Sequence, residues 1–316
     1  MSIVQPDDDG QRLDRWLKKN HPQIPFGQVQ KLLRTGQVRV DGKRVKPDTR
    51  LKQGQDVRLP PALSNSKVAA KTVAGKDATM LRKLVIHEDE DLIAINKPAG
   101  LAVQGGPGIT RHIDGMLGAL AGANGVRPRL VHRLDRDTSG VLLLARSAEV
   151  ARRLGAAFAG RDVEKIYIAL TCPGPAQDSG RVDAALAKGQ SGGALEKMMP
   201  DDAAGRAAIT DYRVLARGGM TAGGAPALVE FHPLTGRTHQ IRVHAALLGA
   251  PLWGDRKYGA RVGDRFYLHA RELRLTHPKT GAALVLKAAL PPDFQARARA
   301  LGLSLKVPAK IQTWAD

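Results

Sequence analysis

A stretch without sustained hydrophobic periodicity divides this chain of 316 residues into two parts. Between Pro60 and Met80 the sequence is rich in Pro, Ser, Ala, Lys and Gly, and apolar residues keep neither helical nor strand spacing. Such a composition is typical of flexible linkers. We therefore predict a first domain over residues 1–60, a linker over residues 61–80, a larger domain over residues 81–303 and a tail over residues 304–316.

The first 60 residues are basic and show a short pattern of helices and strands. They hold 13 Lys and Arg against 7 Asp and Glu. Apolar residues recur at helical spacing at positions 13, 16 and 17, and again at positions 29, 32 and 33. Gly36 stands where a helix C-cap is expected, and Asp41-Gly42 is a strong signal for a hairpin turn. The pattern predicts two helices followed by a hairpin.

The charge of the whole chain restricts its partners. Lys and Arg number 49 against 30 Asp and Glu, which gives a net charge of +19 and favours a polyanion such as nucleic acid. Aromatic residues make up only 4%, which argues against a surface built mainly on base stacking. A single cysteine, no apolar run of membrane-spanning length and no signal-peptide pattern at the N-terminus predict a cytoplasmic protein.

The larger domain is predicted to be α+β. Strand-like runs occur at residues 84–86, 92–95, 166–170 and 227–231, and helical spacing occurs at residues 148–158 and 241–248. These strands and helices follow no repeating strand–helix order, which argues against a parallel doubly wound sheet.

The segment from His132 to Gly140 reads H-R-L-D-R-D-T-S-G and places Asp135 between two arginines. Nearby guanidinium groups favour the ionised form of a carboxylate, and arginines also bind phosphates and base edges. The segment therefore combines a candidate nucleophile with groups suited to nucleic acid. From the residues alone, Asp135 could instead be a helix N-cap or a surface ion-pair partner.

Four separated segments together resemble the ribosomal RNA pseudouridine synthases of the RluA/RluC/RluD type. They read D-L-I-A-I-N-K-P-A-G at 91–100, H-R-L-D-R-D-T-S-G at 132–140, K-I-Y-I-A-L at 165–170 and L-T-G-R-T-H-Q-I-R-V-H at 234–244. The first domain is similar to S4 RNA-binding domains in R-L-D-R-W-L at 12–17 and in residues 29–43. Residues 103–108 and Arg136 make the RluC branch the most similar, although Gln104 replaces the histidine of that branch.

The resemblance implies an S4-like domain followed by a catalytic domain with a mixed, largely antiparallel central sheet and flanking helices. It implies the isomerisation of uridine to pseudouridine, which has no redox step and transfers no phosphate, so that neither a metal nor a cofactor is required. Asp135 is then the nucleophile and Arg242 pairs with it. Tyr167 packs against the extruded uracil and, in the family, takes the proton from C5.

Further basic residues are predicted to contact RNA. Around the catalytic cleft they are Arg133, Lys97, Lys165, Arg237 and His239, and in the first domain they are Arg12, Arg15, Lys31, Arg34, Arg39 and Lys43. For Arg133 the alternatives are entry into the space that the uridine leaves and plain phosphate binding. For each of the others the alternative is a solvated surface charge. Arg242 could likewise be a phosphate contact, and Tyr167 a core residue with a locally satisfied hydroxyl.

The sequence therefore predicts an isomerase, a monomeric pseudouridine synthase that acts on large-subunit ribosomal RNA. Its substrate could be free RNA or an assembling ribosomal subunit, and no membrane is involved. Two alternatives stay open: a non-catalytic factor that binds ribosomal RNA during assembly, and a synthase that acts on transfer RNA.

Overall fold

The computed structural model describes residues 2–21, 24, 26–60, 75–106, 108–122, 125–191, 195–263 and 265–305. The chain divides into two compact units between Thr72 and Val73. The predicted linker covers residues 61–80, of which residues 61–74 lie outside the described residues. The last residues of the predicted linker belong to a helix, Gly75–Lys83. This helix is part of the second unit, because Leu81 is fully buried in the core of that unit. No helix in the described ranges is long and apolar enough to cross a membrane.

The first unit joins two helices to a four-stranded antiparallel sheet. The helices are α1 (Leu13–Asn20) and α2 (Phe26–Arg34), and the strands are β1 (Ser2–Ile3), β2 (Arg39–Val40), β3 (Lys43–Arg44) and β4 (Asp56–Arg58), in the order β1-β4-β2-β3. Gly36 follows α2 with φ 69°, and Asp41 and Gly42 both have positive φ in the turn between β2 and β3. The predicted helices and hairpin are confirmed.

The second unit is built on a ten-stranded mixed sheet with helices on both faces. Its first elements are α3 (Gly75–Lys83), β5 (Val85–Glu88), β6 (Leu92–Lys97), α4 (Ile113–Met116), β7 (Arg129–Leu130), β8 (Ser139–Ala145), α5 (Ala148–Gly160) and β9 (Glu164–Thr171). There follow β10 (Ser179–Asp183), β11 (Leu186–Ser191), β12 (Leu195–Pro200), β13 (Ile209–Arg217), β14 (Ala227–Pro233), α6 (Gln240–Leu247), β15 (Leu268–Thr276), β16 (Ala283–Lys287) and α7 (Pro292–Ala300).

The strand order of the large sheet is β10-β13-β14-β9-β15-β8-β6-β5, with β16 beside β15 and β7 beside β8. Strands β8 and β15 run parallel, and the other paired strands of this sheet are antiparallel. A separate hairpin is formed by β11 and β12. The predicted α+β class with a mixed, largely antiparallel sheet is confirmed.

The alternation of side chains along the strands gives the sheet two apolar faces. In β9, Ala169 faces the core formed with α6, whereas Ile168 and Leu170 face the core formed with Phe294 and Ala298 of α7. In β8, the same alternation sends Leu142 and Leu144 toward α3 and α4, and Val141 and Leu143 toward α5. The sheet therefore fixes which side chains of each strand reach a given face.

The parallel pair depends on a glycine. Gly140 lies opposite Ala270 in the register of β8 and β15 and has φ 114°. A Cβ atom at this position would lie 2.1 Å from the carbonyl oxygen of Ala270. Only glycine allows both the backbone angle and this approach. Gly140 therefore fixes the strand that directly follows the H-R-L-D segment.

Candidate active site

A cavity of about 310 Å³ in the second unit brings together the three predicted catalytic residues. It is lined by Asp135 from the loop before β8, Tyr167 from β9 and Arg242 from α6. The other lining residues are His132, Arg133, Leu134, Thr138, Phe158, Lys165, Pro233, Thr235, Gly236, Arg237, Thr238, His239, Gln240, Ile241 and Leu268. The sequence segments at 132–140, 165–170 and 234–244 therefore meet in one place.

Contacts on both sides fix the loop that carries Asp135. Leu134 is buried in the apolar core next to the cavity. The backbone nitrogen of Thr138 donates to the carbonyl oxygen of Asp135 at 3.2 Å, which closes a turn. Next along the chain, the Ser139 hydroxyl lies 2.9 Å from Nδ1 of buried His269. Asp135 is thus held between an apolar anchor and a hydrogen-bonded turn, with 23% of its side chain exposed to the cavity.

Arg242 is held by a carboxylate other than the predicted one. Its Nε and Nη2 donate to the two carboxylate oxygens of Asp255 at 2.6 and 2.8 Å, and Asp255 is almost fully buried. Its Nη1 faces Asp135 Oδ2 at 3.5 Å. Burial lowers the pKa of Arg242, but the hydrogen bond and charge of Asp255 outweigh that effect and raise it. The predicted contact with Asp135 is present, but the bidentate pair with Asp255 sets the position of the guanidinium.

Two aromatic rings enclose the same guanidinium. Cζ of Arg242 lies 4.4 Å from the centroid of Phe266 and 4.9 Å from that of Tyr258. A planar cation over an aromatic face is an attractive arrangement, and it is stronger where water is excluded. Asp255, Phe266 and Tyr258 together leave Nη1 as the nitrogen that faces Asp135.

His239 lies against Asp135 in the cavity wall. Its Nε2 is 3.7 Å from Asp135 Oδ2, and its Nδ1 is 2.7 Å from the hydroxyl of Tyr258. Burial lowers the pKa of His239, against the opposing effect of the Asp135 charge. The ring is therefore favoured in its neutral form. The sequence predicts His239 as an RNA contact, and the structure places it beside the candidate nucleophile.

Gln240 connects the start of α6 to the sheet. Its amide nitrogen donates to the Ile209 carbonyl and to the Thr210 hydroxyl, both at 2.9 Å. Its amide oxygen accepts from the Thr235 hydroxyl at 2.7 Å and from the backbone nitrogen of Arg237 at 2.9 Å. Four hydrogen bonds on one buried side chain explain why this segment holds Arg242 at a fixed point.

Tyr167 and Lys165 occupy the cavity side of β9, two residues apart. Burial, together with the charge of Asp135, raises the pKa of Tyr167. Both effects favour the neutral phenol. Tyr167 also packs against apolar side chains of the cores on either side of the cavity, so its ring forms a wall that could cover one face of a base.

The prediction that Lys97 contacts RNA is wrong. Its side chain has no exposed surface, and Nζ donates to the carbonyl oxygens of Pro98, Leu101 and Arg136 at 2.8–2.9 Å. Burial lowers the pKa of Lys97 to about 7. Its three bonds join the end of β6 to the residue after Asp135. Lys97 is therefore an internal support of the catalytic loop.

The remaining predicted RNA contacts lie on accessible surface. Arg133 is exposed at the cavity rim, and Arg237 is half-buried with its Nε donating to the Ala207 carbonyl at 3.0 Å. In the first unit, Arg12 is engaged by Asp14 at 2.8 Å. The exposed members there are Arg15, Lys31, Arg34, Arg39 and Lys43. A concave surface of this unit is lined by Lys31 and Arg34 and by two further cations, Arg44 and Lys46.

Sequence reasoning missed Asp255, Tyr258 and Phe266 as parts of the site. Asp255 follows Gly254 in the sequence, but the residues give no sign of its partner. Burial is what identifies Asp255, because a fully buried carboxylate needs a cation or several hydrogen-bond donors. Burial is known only once the fold is known.

Comparison with known proteins identifies the family. Residues 91–247 match the family model described as RNA pseudouridylate synthase, and residues 11–57 match the S4 domain. The chain is 38% identical over 297 residues to the ribosomal large subunit pseudouridine synthase C of Rickettsia bellii, across 90% of this chain and 95% of that relative. This chain belongs to the RNA pseudouridylate synthase family.

Other relatives agree with this assignment. The protein of the same name from Vibrio vulnificus is 35% identical over 314 residues, across 93% of this chain and 95% of the relative. The solved structure of human RNA pseudouridylate synthase domain containing 4 is 30% identical with a TM-score of 0.61, and covers 72% of this chain and 96% of its own. The predicted family and enzyme class are confirmed: the pseudouridine synthase is an isomerase.

Proposed function

We propose that this pseudouridine synthase isomerises uridines of large-subunit ribosomal RNA and that Asp135 is its nucleophile. The names of the relatives support this substrate class, and so do the S4 domain and the net charge of +19. The observation that carries the proposal is the position of Asp135. Its Oδ2 faces Arg242 Nη1 and His239 Nε2 inside a cavity at the small end of ligand sites. Such a cavity takes one nucleoside, so the uridine must leave the RNA stack.

The proposed reaction conserves all atoms of the uridine. The bond from N1 to C1′ breaks, the base turns, and a bond from C5 to C1′ forms. The hydrogen on C5 leaves and N1 takes up a hydrogen. Asp135 supplies the negative charge needed when the first bond breaks. Arg242 orients this carboxylate through Nη1, and Arg133 at the cavity rim contacts the RNA that the uridine has left.

Tyr167 is proposed to cover the uracil and to take the C5 proton at a late stage. While Asp135 is ionised, its charge is one of the two causes that raise the pKa of Tyr167. A covalent bond between Asp135 and the nucleoside removes that charge. We propose that the phenol then gives its own proton to N1, which takes up a hydrogen, and accepts the proton that leaves C5, so that the tyrosine ends the reaction unchanged. We therefore propose that Tyr167 acts after Asp135.

The cellular setting follows from the substrate. We propose that the enzyme acts in the cytoplasm on free or assembling large-subunit RNA. Asp135, Tyr167 and Arg242 of the same chain meet in this cavity, and we propose that the enzyme acts as a monomer. Lys31, Arg34, Arg39 and Lys43 of the S4 domain are exposed and are proposed to bind the RNA backbone outside the catalytic cavity.

Release of tritium from C5 tests the proposal. Ribosomal RNA labelled at uridine C5 is incubated with the wild-type enzyme, with Asp135→Asn and with Asp137→Asn. Asp137 is a nearby carboxylate with 44% of its side chain exposed, which makes it a matched control. We expect release by the wild type and by Asp137→Asn, and none by Asp135→Asn. Equal release by the wild type and Asp135→Asn would contradict the role of Asp135.

The choice of RNA separates the alternatives. The same assay uses naked large-subunit RNA, immature large subunits and transfer RNA. Release from transfer RNA alone would identify a transfer RNA synthase. Tight RNA binding without release from any of the three would identify a non-catalytic binding factor.

A further inference from the structure

Two positive side chains, Lys165 and Arg237, line the catalytic cavity, and two exposed arginines are linked to them. Arg161 precedes Lys165 by four residues, and Arg206 adjoins Ala207, whose carbonyl oxygen accepts from Arg237 Nε. We call Arg161, Lys165, Arg206 and Arg237 the cation cluster. Arg161 lies between cavity-lining Phe158, three residues before it, and Lys165, four residues after it. The cluster is thus adjacent to the cavity that holds Asp135.

The members of the cluster repel one another. After burial, the charge of Arg161 is the cause that lowers the pKa of Lys165, and the charges of Arg206 and Arg161 lower the pKa of Arg237. In the described part of the chain, no carboxylate forms an ion pair with Arg161, Lys165 or Arg237. Like charges that form no ion pair raise the local positive potential, and an anion bound among them relieves the repulsion.

The backbone at Arg161 is a second, independent observation. Arg161 follows α5 with φ 72° and ψ 19°, the left-handed C-cap position at which glycine is usual. In the described ranges, only Asp41, Arg161 and His239 are non-glycine residues with positive φ. Asp41 is in the hairpin turn of the first unit, and His239 contacts the catalytic carboxylate. A strained backbone that keeps an arginine where glycine would be easier indicates a use for the side chain.

We propose that Arg161, Lys165 and Arg237 form a binding site for one phosphate of the substrate RNA, next to the nucleotide that enters the cavity. A flipped nucleotide keeps a phosphate on each side of its ribose, so an RNA backbone that delivers a uridine to Asp135 passes beside this cluster. Arginine is suited to phosphate because its fork of donors matches the phosphate oxygens. Arg237 is held ready by its bond to the Ala207 carbonyl. The inference rests on the proposed function, because it assumes an RNA substrate.

Because Arg161 has a left-handed backbone, its substitution by glycine can remove the charge without destabilising the fold. Arg161→Gly removes the charge and also relieves the backbone strain, so we expect its thermal midpoint to equal or exceed that of the wild type. A loss of activity in this variant cannot then be attributed to unfolding. The matched control is Arg299→Ala on α7, an exposed arginine on the helix that packs against the opposite face of β9.

The test measures steady-state pseudouridine formation on large-subunit RNA at several salt concentrations. For Arg161→Gly we expect KM to rise about tenfold while kcat changes less than about twofold, and the slope of log(kcat/KM) against log[salt] to become shallower by about one. Arg161→Lys keeps the charge and should keep the wild-type slope. If Arg161→Gly shows the KM and the salt slope of Arg299→Ala, the phosphate site is overturned.

Failure of the proposed function is a separate outcome. If the wild type forms no pseudouridine on any RNA, equilibrium binding of the same RNA is compared between the wild type, Arg161→Gly and Arg299→Ala. Weaker and less salt-dependent binding by Arg161→Gly alone would retain the phosphate site without the enzyme activity. Equal binding by the wild type and the two variants would contradict the phosphate site as well as the proposed function.

Discussion

Nε and Nη2 of Arg242 donate to the two carboxylate oxygens of Asp255 at 2.6 and 2.8 Å, whereas Nη1 of Arg242 lies 3.5 Å from Asp135 Oδ2. The stronger ion pair of Arg242 is therefore the one with Asp255, which is not a proposed reacting group. Asp255 fixes the guanidinium, and Asp135 faces a cation that is already held in place. If Asp135 is the nucleophile, as proposed, this arrangement leaves its carboxylate free to move toward the ribose or the base.

Asp255→Asn should remove most of the activity although Asp255 does not line the cavity. Without its charge partner, the buried Arg242 is free to swing toward Asp135 and pair with it fully. We expect kcat to fall about 10- to 100-fold and unfolding free energy to fall by about 3 kcal/mol. Tritium release and urea unfolding measure the two effects. Asp293→Asn, at the exposed Arg265–Asp293 pair, should change neither. Wild-type kcat in Asp255→Asn would show that Arg242 needs no anchor.

Tyr167→Phe should separate the ring from the hydroxyl. The ring still fills the cavity wall, so we expect stability within about 1 kcal/mol of the wild type, whereas C5 tritium release should slow by at least about 100-fold. The matched control is Tyr212→Phe on β13, a buried tyrosine that does not line the cavity. If Tyr167→Phe released tritium from C5 as fast as the wild type, the hydroxyl would have no role in the reaction and Tyr167 would only pack in the cavity wall.

Lys97→Met should destabilise the enzyme and disturb the catalytic loop. The substitution leaves the carbonyl oxygens of Pro98, Leu101 and Arg136 without their donor. Buried acceptors that lose a charged donor cost about 3 kcal/mol in total, which urea unfolding would detect. Because Arg136 is next to Asp135, kcat should fall as well. Lys83→Met, at an exposed position of α3, serves as the control. A fully stable Lys97→Met variant would mean that water replaces the ammonium without cost.

Acid should weaken the fold through His269. Burial lowers the pKa of His269 to about 4, whereas an unfolded histidine titrates near 6.5. Below pH 6.5 the unfolded chain therefore binds a proton that the folded chain does not. The stabilisation is complete above pH 6.5 and is lost as the pH falls toward 4.

The size of this effect is measurable by urea unfolding at pH 7.5 and pH 5. For one such histidine the loss over this interval is about 2 kcal/mol. Between pH 7.5 and pH 5, the unfolding free energy of His269→Gln should therefore fall by about 2 kcal/mol less than that of the wild type. An equally steep loss in the variant would assign the acid sensitivity to other groups, among them His132, whose pKa burial lowers to about 3.

Gly140→Ala should be far more damaging than another substitution at a glycine with a similar backbone angle. At Gly140 a Cβ meets the Ala270 carbonyl at 2.1 Å, whereas at Gly259, with φ 103°, no heavy atom lies within 4 Å. We expect a loss of more than about 3 kcal/mol for Gly140→Ala and of about 1 kcal/mol for Gly259→Ala. Thermal unfolding of both variants checks the difference. Equal losses would show that the angle alone, and not the approach of β8 to β15, selects glycine.

Local patterns in the sequence were sufficient to predict the local structure. The spacing of Leu13, Trp16 and Leu17 predicts the buried side of α1, and Asp41-Gly42 predicts the turn between β2 and β3. These features depend on neighbours a few residues away. The resemblance supplied Asp135 and Arg242, and the cavity brings them together at 3.5 Å.

Features that depend on distant parts of the chain could not be predicted in this way. The pairing of β8 with β15 joins residues about 130 positions apart in the sequence. Burial is a property of the same kind. The motif around Lys97 does not reveal that its ammonium points inward, and Asp255 cannot be matched with Arg242 before both are placed. The helix over residues 75–83 was missed because Leu81 is its one fully buried apolar residue.

The two-residue repeat of β9 makes the site intolerant of length changes. Lys165 and Tyr167 face the cavity, and Ile166 and Ile168 are buried beyond it. Deleting or inserting a single residue at the start of this strand would exchange the two sets and present isoleucine to the uridine. Natural length variation among related chains should therefore be confined to the connections, such as residues 172–178, and absent from residues 164–171.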